Sequence, residues 1–565
     1  MYDLIIVGAL VIDGTGGPAY FADVAVAGGR IVRISRRPAP PRVQAGAGLQ
    51  YPSREDAGPG AGQPWPGAWC ITQEGQSWPG ARNVFDARGL CLAPGFIDIH
   101  NHSDLTILAD PRAESMVSQG VTTVVVGNCG FSPAPWPGPE GGENAVLMQE
   151  DAAFLACGFD VPWRWRSFGD YLRAVQASRP AVNVVALVGH GVIREQVLGR
   201  ATRAPDRAEM RRMQEILGDA MADGAAGMSS GLIYYPGCYA GTEELVELAR
   251  VVAQAGGVYA SHIRGEGETL LDAVAEAIGI ARRAGVSTQI SHLKAESRFM
   301  WGRLGEALAM IDAARQEGLA VDCDQYPYTA YNTSLGSFLP PQVMEGDWRK
   351  VLASRRGREE IRRIMAEGTP DWTSSVRGME WSDFVVDGTG DPSTDGRDLA
   401  ALASGKDQDA WTLFFDLLLE YGPHVRVIGH AMHEDDVAKA VARPDVMVGS
   451  DGYALPLEGD GHPHPRSFGT FPRVLGRYSR EEGVISLEAA VRKMTGLPAA
   501  KLGLRDRGLV HEGYWADLVL FDPHLIQDTA TFEQPWQRPR GIVHVLVNGQ
   551  PASARAGCVL SSTPT

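Results

Sequence analysis

The 565-residue sequence predicts an α/β protein. Its core is expected to be a closed (β/α)8 TIM barrel, carrying a small β-sandwich built from both chain ends and a mostly helical insertion between strands seven and eight. Three observations predict this. From Gly89 onwards short apolar segments alternate with amphipathic helical ones, β-type patterning with turn signals occupies both termini, and His, Cys and Asp recur where the strands run out.

Residues 3–35 contain short strands punctuated by "DGTGGP" and "AGGR". Residues 36–85 are rich in Pro, Gly, Ala and Gln and read as an irregular excursion. Barrel strands are expected at 90–100, 120–128, 183–190, 224–231, 257–263, 286–293, 320–328 and 446–451. Between them lie segments such as "TEELVELARVVAQAG" and "GETLLDAVAEAIGIARRAG", with apolar residues at helical spacing and Gly at the C-terminal end. The gap after strand seven is too long for one βα unit, and "DWRKVLASRRGREEIRRIMAEG" and "DAWTLFFDLLLEYG" place helices in an insertion at 338–424. β pattern returns in "GLVHEGYWADLVLFD" and "GIVHVLVNGQ". The expected units are therefore a terminal one, 1–88 with 487–553, and a barrel, 89–486.

Bulk properties narrow the function. A formal charge of -16 argues against a nucleic-acid backbone as partner. No apolar run approaches the ~18 residues of a membrane span, and the N-terminal residues lack the basic region of a signal peptide, so a cytoplasmic protein is expected. Seven cysteines without a CxxC pattern fit reduced thiols.

The barrel reading requires chemistry at the C-terminal ends of strands. Strand one ends in His100-Asn101-His102, strand two at Cys129, strand five in "SHIRGE" with His262, strand six in "SHLK" with His292, and strand eight in "GSDG" with Asp451. Singly, each is more simply a packing residue. Jointly, imidazoles, a thiol and a carboxylate at equivalent strand ends make the donor set of a zinc site. The first lysine in the chain is Lys294, so strands one to five carry no lysine, and Cys129 is the thiol that these strand ends offer as an anionic ligand.

"GFIDIHNHSD", the strand-end His262 and His292, and "GSDG" resemble the amidohydrolase superfamily of metal-dependent hydrolases. "VGNCGFSPAP", "GMSSGLIYYPG", "YASHIRGEGE", "DQYPYTAYNTSL" and "HPRSFGTFPRVLG" resemble its D-aminoacylase, or N-acyl-D-amino-acid deacylase, branch. The resemblance implies a zinc held tightly by Cys129, His262 and His292, a weaker second metal site with His100 and His102 sharing the cysteine, and Asp451 as catalytic base and acid. It also implies that Lys294, Tyr326 and Arg466 clamp the carboxylate of a small N-acyl amino acid, with Tyr234 and Arg264 as further pocket residues. His190, at the end of strand three, fits a hydrogen-bonded supporting role, and His462 and His464 stay outside the metal set. The loop "GYALPLEGDG" after Asp451 is longer than the family's spacing. Two other functions remain open: a cyclic-amide hydrolase of hydantoinase or dihydroorotase type, and a catalytically silent scaffold. Oligomeric state and acyl preference are not legible.

Overall fold

The computed structural model describes residues 1–38, 81–142, 148, 156–161, 163–369 and 372–561; most of the predicted excursion, 39–80, lies outside them. Parallel strands follow one another in chain order: Phe96–Asp98, Val121–Val126, Asn183–Ala186 continued by Val188–Gly189, Gly227–Gly231, Val258–His262, Ser287–Ile290, Val321–Gln325 and Met447–Val448. Each pairs in parallel with the next, through to Val321–Gln325 with Met447–Val448. The last strand returns to the first through a parallel bridge between Asn101 and Gly452. There Asp451 N donates to His100 O and His102 N to Gly452 O, both at 2.8 Å. This is a TIM-barrel-type ring of eight strands.

The strands form because their residues are apolar and β-branched, as in "VTTVVV", and the ring buries both faces. Ile97, Ile99, Val125, Val185, Leu187, Ala226, Ala260 and Met447 share one buried cluster, joined by Ala499 of helix Gly496–Lys501 and by Leu502 just after it. The outer helices have clear sequence causes. Asp206 and Glu209 form a reciprocal cap on Arg207–Asp223, and Gly224 ends that helix at φ 116°, a backbone conformation that suits glycine. Thr242–Gln254 buries Leu245, Val246, Leu248, Ala249 and Val252 along one stripe.

Two expectations are corrected. The predicted first strand, 90–100, is two strands: Cys91–Pro94 pairs with Leu518–Phe521 in the terminal sheet, while Phe96–Asp98 belongs to the barrel. Gly95 is where the chain changes sheets, and a Cβ there would lie 2.2 Å from Thr122 Cγ2, so only glycine fits. The terminal strands, including Leu4–Val11, Tyr20–Ala27, Arg30–Arg36 and Ile542–Val547, are joined by hydrogen bonds into one eight-stranded sheet, and Leu4, Val24, Ile31, Leu518 and Leu546 from these strands and their neighbours share one buried cluster. The insertion carries the expected helices, among them Arg355–Glu367 and Ala410–Tyr421. It also carries an antiparallel sheet of Tyr331–Ser334, Arg426–Gly429 and Phe384–Asp387 that local helical periodicity did not reveal.

Candidate metal centre and active site

The predicted ligands meet at the C-terminal mouth of the barrel. Cys129 Sγ lies 3.4 Å from both His100 Nε2 and His292 Nε2. The His262 and His292 ring centroids are 4.4 Å apart, and those of His100 and His102 5.3 Å. Asp451 Oδ1 stands 3.0 Å from His102 Nε2 and 3.5 Å from His100 Nε2. Three overlapping donor sets result, each with its atoms within 4.8 Å of one another: His100, Cys129 and His292; His100, His102 and Asp451; and His262, Glu266 and His292. The predicted trio of Cys129, His262 and His292 is not one of these sets, but His292 links its members.

Local backbone explains the convergence. Cys129, His292 and Asp451 all have positive φ, at 54°, 35° and 52°, conformations disfavoured for side-chain-bearing residues and concentrated where function over-determines them. The small residues of strand four accommodate the Cys129 turn: a Cβ on Gly231 would come within 2.0 Å of Cys129 O. The space at that strand end is thus taken by the cysteine turn. Asp324 accepts from His292 N at 3.0 Å and lies 3.4 Å from His100 Nδ1, so one carboxylate orients two of the imidazoles.

The electrostatics match an ionised thiol among imidazoles. Burial works against a Cys129 thiolate, but the His100 and His292 imidazoles outweigh it and hold the thiol well below its ordinary value. Burial likewise opposes ionisation of Asp451, yet the Arg466 guanidinium, then His102, His292 and His100, hold it well below the usual carboxylate range. Burial disfavours the His102 cation, and hydrogen bonds to Asp451 and Cys129 overcome it, raising His102 to about 9. Both ring nitrogens of His262 are buried without a hydrogen-bond partner, an arrangement that folded proteins avoid unless something else binds there. Thiolate, imidazole and carboxylate donors, with an orphaned buried imidazole among them, fit a zinc-type metal.

The predicted substrate residues surround this cluster. Lys294 Nζ donates to Glu266 Oε1 at 2.6 Å and lies 3.0 Å from His292 Nδ1. Arg466 Nη1 donates to Asp451 Oδ2 at 2.7 Å, and its guanidinium stacks over Tyr326 at 4.9 Å. The Tyr326 hydroxyl is buried and unpartnered, while Tyr234 pairs with Thr333 at 3.1 Å. Arg264 sits apart from the ligands, in an adjoining cavity of about 620 Å³, where it is held by Glu276 and the carbonyls of Cys238 and Ala240. His190 lies behind the site, 2.8 Å from Glu244, which also pairs with Arg194. His464 accepts from Arg466 N at 3.0 Å and so helps position that arginine.

Sequence reasoning missed Glu266, Glu296 and Asp324. Glu266 stands within "SHIRGEGE", four residues after His262, and that spacing beside a ligand was the available signal. Burial opposes its charge, but Lys294, His262 and His292 hold it at about 2. Burial and repulsion from Glu266 push Glu296 up to about 7.

Comparison with known proteins agrees with this geometry. Residues 83–321 and 414–552 match the sequence profile of the Amidohydrolase family, and the chain is a metal-dependent amidohydrolase of that family. It is 37% identical to N-acyl-D-glutamate deacylase of Alcaligenes xylosoxydans xylosoxydans, over 99% of this chain and 96% of that protein. It is 36% identical to D-aminoacylase of the same organism, over 100% and 98%. The crystal structure of N-acyl-D-glutamate deacylase from Bordetella bronchiseptica, complexed with zinc and a phosphonate mimic of the tetrahedral intermediate, superposes with a TM-score of 0.76 at 36% identity over 99% of both chains. Within the amidohydrolases, the chain therefore belongs to the D-aminoacylase, or N-acyl-D-amino-acid deacylase, family. L-Hydantoinase from Arthrobacter aurescens shares the fold, with a TM-score of 0.51 at 15% identity over 99% of this chain and 100% of that one.

Proposed function

We propose that this protein hydrolyses the amide bond of N-acyl-D-amino acids with zinc as its metal, releasing a carboxylate and a free D-amino acid. The observation that carries the reading is Asp451: a buried, ionised carboxylate placed 3.0 Å from His102 beside the thiolate and imidazole cluster. The D configuration is supported by the activities for which the similar deacylases are named.

Cys129, His262 and His292 would hold the tighter zinc, and His100 and His102 together with Cys129 would serve a second, weaker site. When bound, zinc supplies Lewis acidity that polarises the scissile carbonyl and lowers the pKa of water towards neutrality. Asp451 takes the proton of the attacking water and passes it to the leaving nitrogen, so one carboxylate acts as base and then as acid. Lys294, Tyr326 and Arg466 hold the substrate α-carboxylate, and Tyr234 lines the pocket; Arg264 stabilises the adjoining wall. The α-carboxylate competes with Asp451 and Glu266 for the two cations, so substrate binding loosens Arg466 from Asp451 and restores basicity to it.

The terminal segments 1–88 and 487–553 form a unit supporting the barrel of 89–486. Free, scattered cysteines support a reducing, cytoplasmic setting. Among the described residues no helix is long and apolar enough to cross a membrane.

The test is one panel: N-acetyl-D- and N-acetyl-L-amino acids, hydantoin and dihydroorotate, with metal analysis of the same protein. Hydrolysis of the N-acetyl-D series with bound zinc is expected. Hydrolysis of the cyclic amides alone overturns the reading.

A further inference from the structure

The mouth of the barrel opens into two adjoining cavities that share Ile233, Glu266, Glu296, Ser337 and Ser375. Among the described residues that line them, every lysine and arginine is already paired with a carboxylate. Lys294 is 2.6 Å from Glu266, Arg466 2.7 Å from Asp451, and Arg264 3.0 Å from Glu276. Arg377 is 2.6 Å from Glu268, and Arg283 2.5 Å from Glu243.

Glu296 has the opposite character. It lines both cavities and is only 7% exposed, and its Oε1 has no hydrogen-bond partner. Glu296 N donates to Glu266 O, which sets two carboxylate-bearing residues side by side along one wall. The inner wall also carries Phe131, Ile233, Tyr234, Tyr331 and Tyr453, interspersed with the neutral polar residues Asn332, Thr333, Ser337 and Ser375.

This arrangement bears on what a substrate side chain meets. The α-carboxylate common to every N-acyl amino acid occupies Lys294 and Arg466, the two cations nearest the Cys129 cluster. A second carboxylate, on the side chain, then faces Glu266 and Glu296, while the remaining cations, Arg264, Arg283 and Arg377, lie in the outer cavity and each already hold a carboxylate. Burying an anion without a counter-charge, next to like charge, is strongly unfavourable. A neutral side chain meets the aromatic wall, and one bearing an N–H donor gains the vacant acceptor on Glu296. A cavity of about 620 Å³ leaves room for a large group.

We infer that the enzyme accepts N-acyl-D-amino acids with uncharged or basic side chains and excludes acidic ones, with Glu296 as the residue that sets the limit. The inference rests on the deacylase reading above and separates this chain from the N-acyl-D-glutamate and N-acyl-D-aspartate deacylases that it resembles. Specificity of this kind works through repulsion as much as attraction.

The experiment compares kcat/KM of the zinc-loaded protein and Glu296→Gln on N-acetyl-D-methionine, -phenylalanine, -lysine, -glutamate and -aspartate, at about pH 8 so that Glu296 is ionised. The acidic substrates are expected on the order of 100-fold below methionine or lower in the unmodified protein. Glu296→Gln narrows that ratio roughly tenfold or more. Calorimetric binding of N-acetyl-D-methionine and N-acetyl-D-glutamate to Asp451→Asn gives the same order, and decides the matter even where Glu296→Gln fails to fold. N-acetyl-D-glutamate handled as well as methionine overturns the inference, as does an unchanged ratio in folded Glu296→Gln. Hydrolysis of no N-acetyl-D-amino acid overturns the deacylase reading itself, and this inference with it.

Discussion

Arg466 and Asp451 form a buried ion pair, with Nη1 2.7 Å from Oδ2, so the carboxylate that faces the imidazoles is anchored from behind by a guanidinium. Replacing Arg466 with Met removes both a substrate contact and the main charge that depresses Asp451. KM is expected to rise. Because the Asp451 carboxylate loses its cation, its pKa rises and the acid limb of the kcat/KM–pH profile, which reports the free enzyme, moves to higher pH. An acid limb that stays in place excludes this coupling.

Asp451→Asn preserves the shape of the side chain and removes its capacity to take a proton. Turnover is expected to fall about 10²- to 10⁴-fold while zinc content stays at the unmodified level. Substantial activity with full metal assigns the proton transfer to another group.

Cys129→Ala is expected to strip the tightly bound zinc, read by metal analysis after dialysis. Gly231→Ala provides an independent probe, since its Cβ has no room against Cys129 O and must displace the turn. Zinc affinity is expected to fall in this variant as well, although residue 231 offers no ligand. Full zinc retention in Cys129→Ala makes the thiol a packing group.

Glu266 is held at about 2 against an ordinary 4.5, chiefly by Lys294, with burial opposing. A depressed carboxylate contributes stability that is present above its unfolded value and lost as pH falls towards its folded one, so the window runs from about 4.5 down to about 2. Glu266→Gln is therefore expected to lower the unfolding free energy of the metal-free protein by about 3 kcal/mol near neutrality, with the gap closing below about pH 4. Urea titrations at several pH values measure it. A gap independent of pH removes the charge of Glu266 from the account.

Much of this was legible in the sequence. The barrel strands could be read because β-branched runs and amphipathic stripes are local patterns, and His100, His102, Cys129, His262, His292 and Asp451 could be read because each closes such a run. The split of 90–100 at Gly95 could not, because both halves are apolar and only the approach of Thr122 separates them. The sheet formed by Tyr331–Ser334, Phe384–Asp387 and Arg426–Gly429 depends on pairing across long loops, which periodicity does not record. Glu266 and Glu296 looked like ordinary solvated glutamates, since burial and the company of Lys294 are tertiary facts.

The seam of the barrel lies at the same place as its chemistry. His100 O and His102 N bond to Asp451 N and Gly452 O, and Asp98 secures the join by accepting from Ser450 N at 2.7 Å. The chain's opening and closing barrel strands, some 350 residues apart, are thus stitched through the backbone of the residues proposed as ligands and base. Closing the ring and setting the HxH segment beside Asp451 are therefore one and the same contact in this fold.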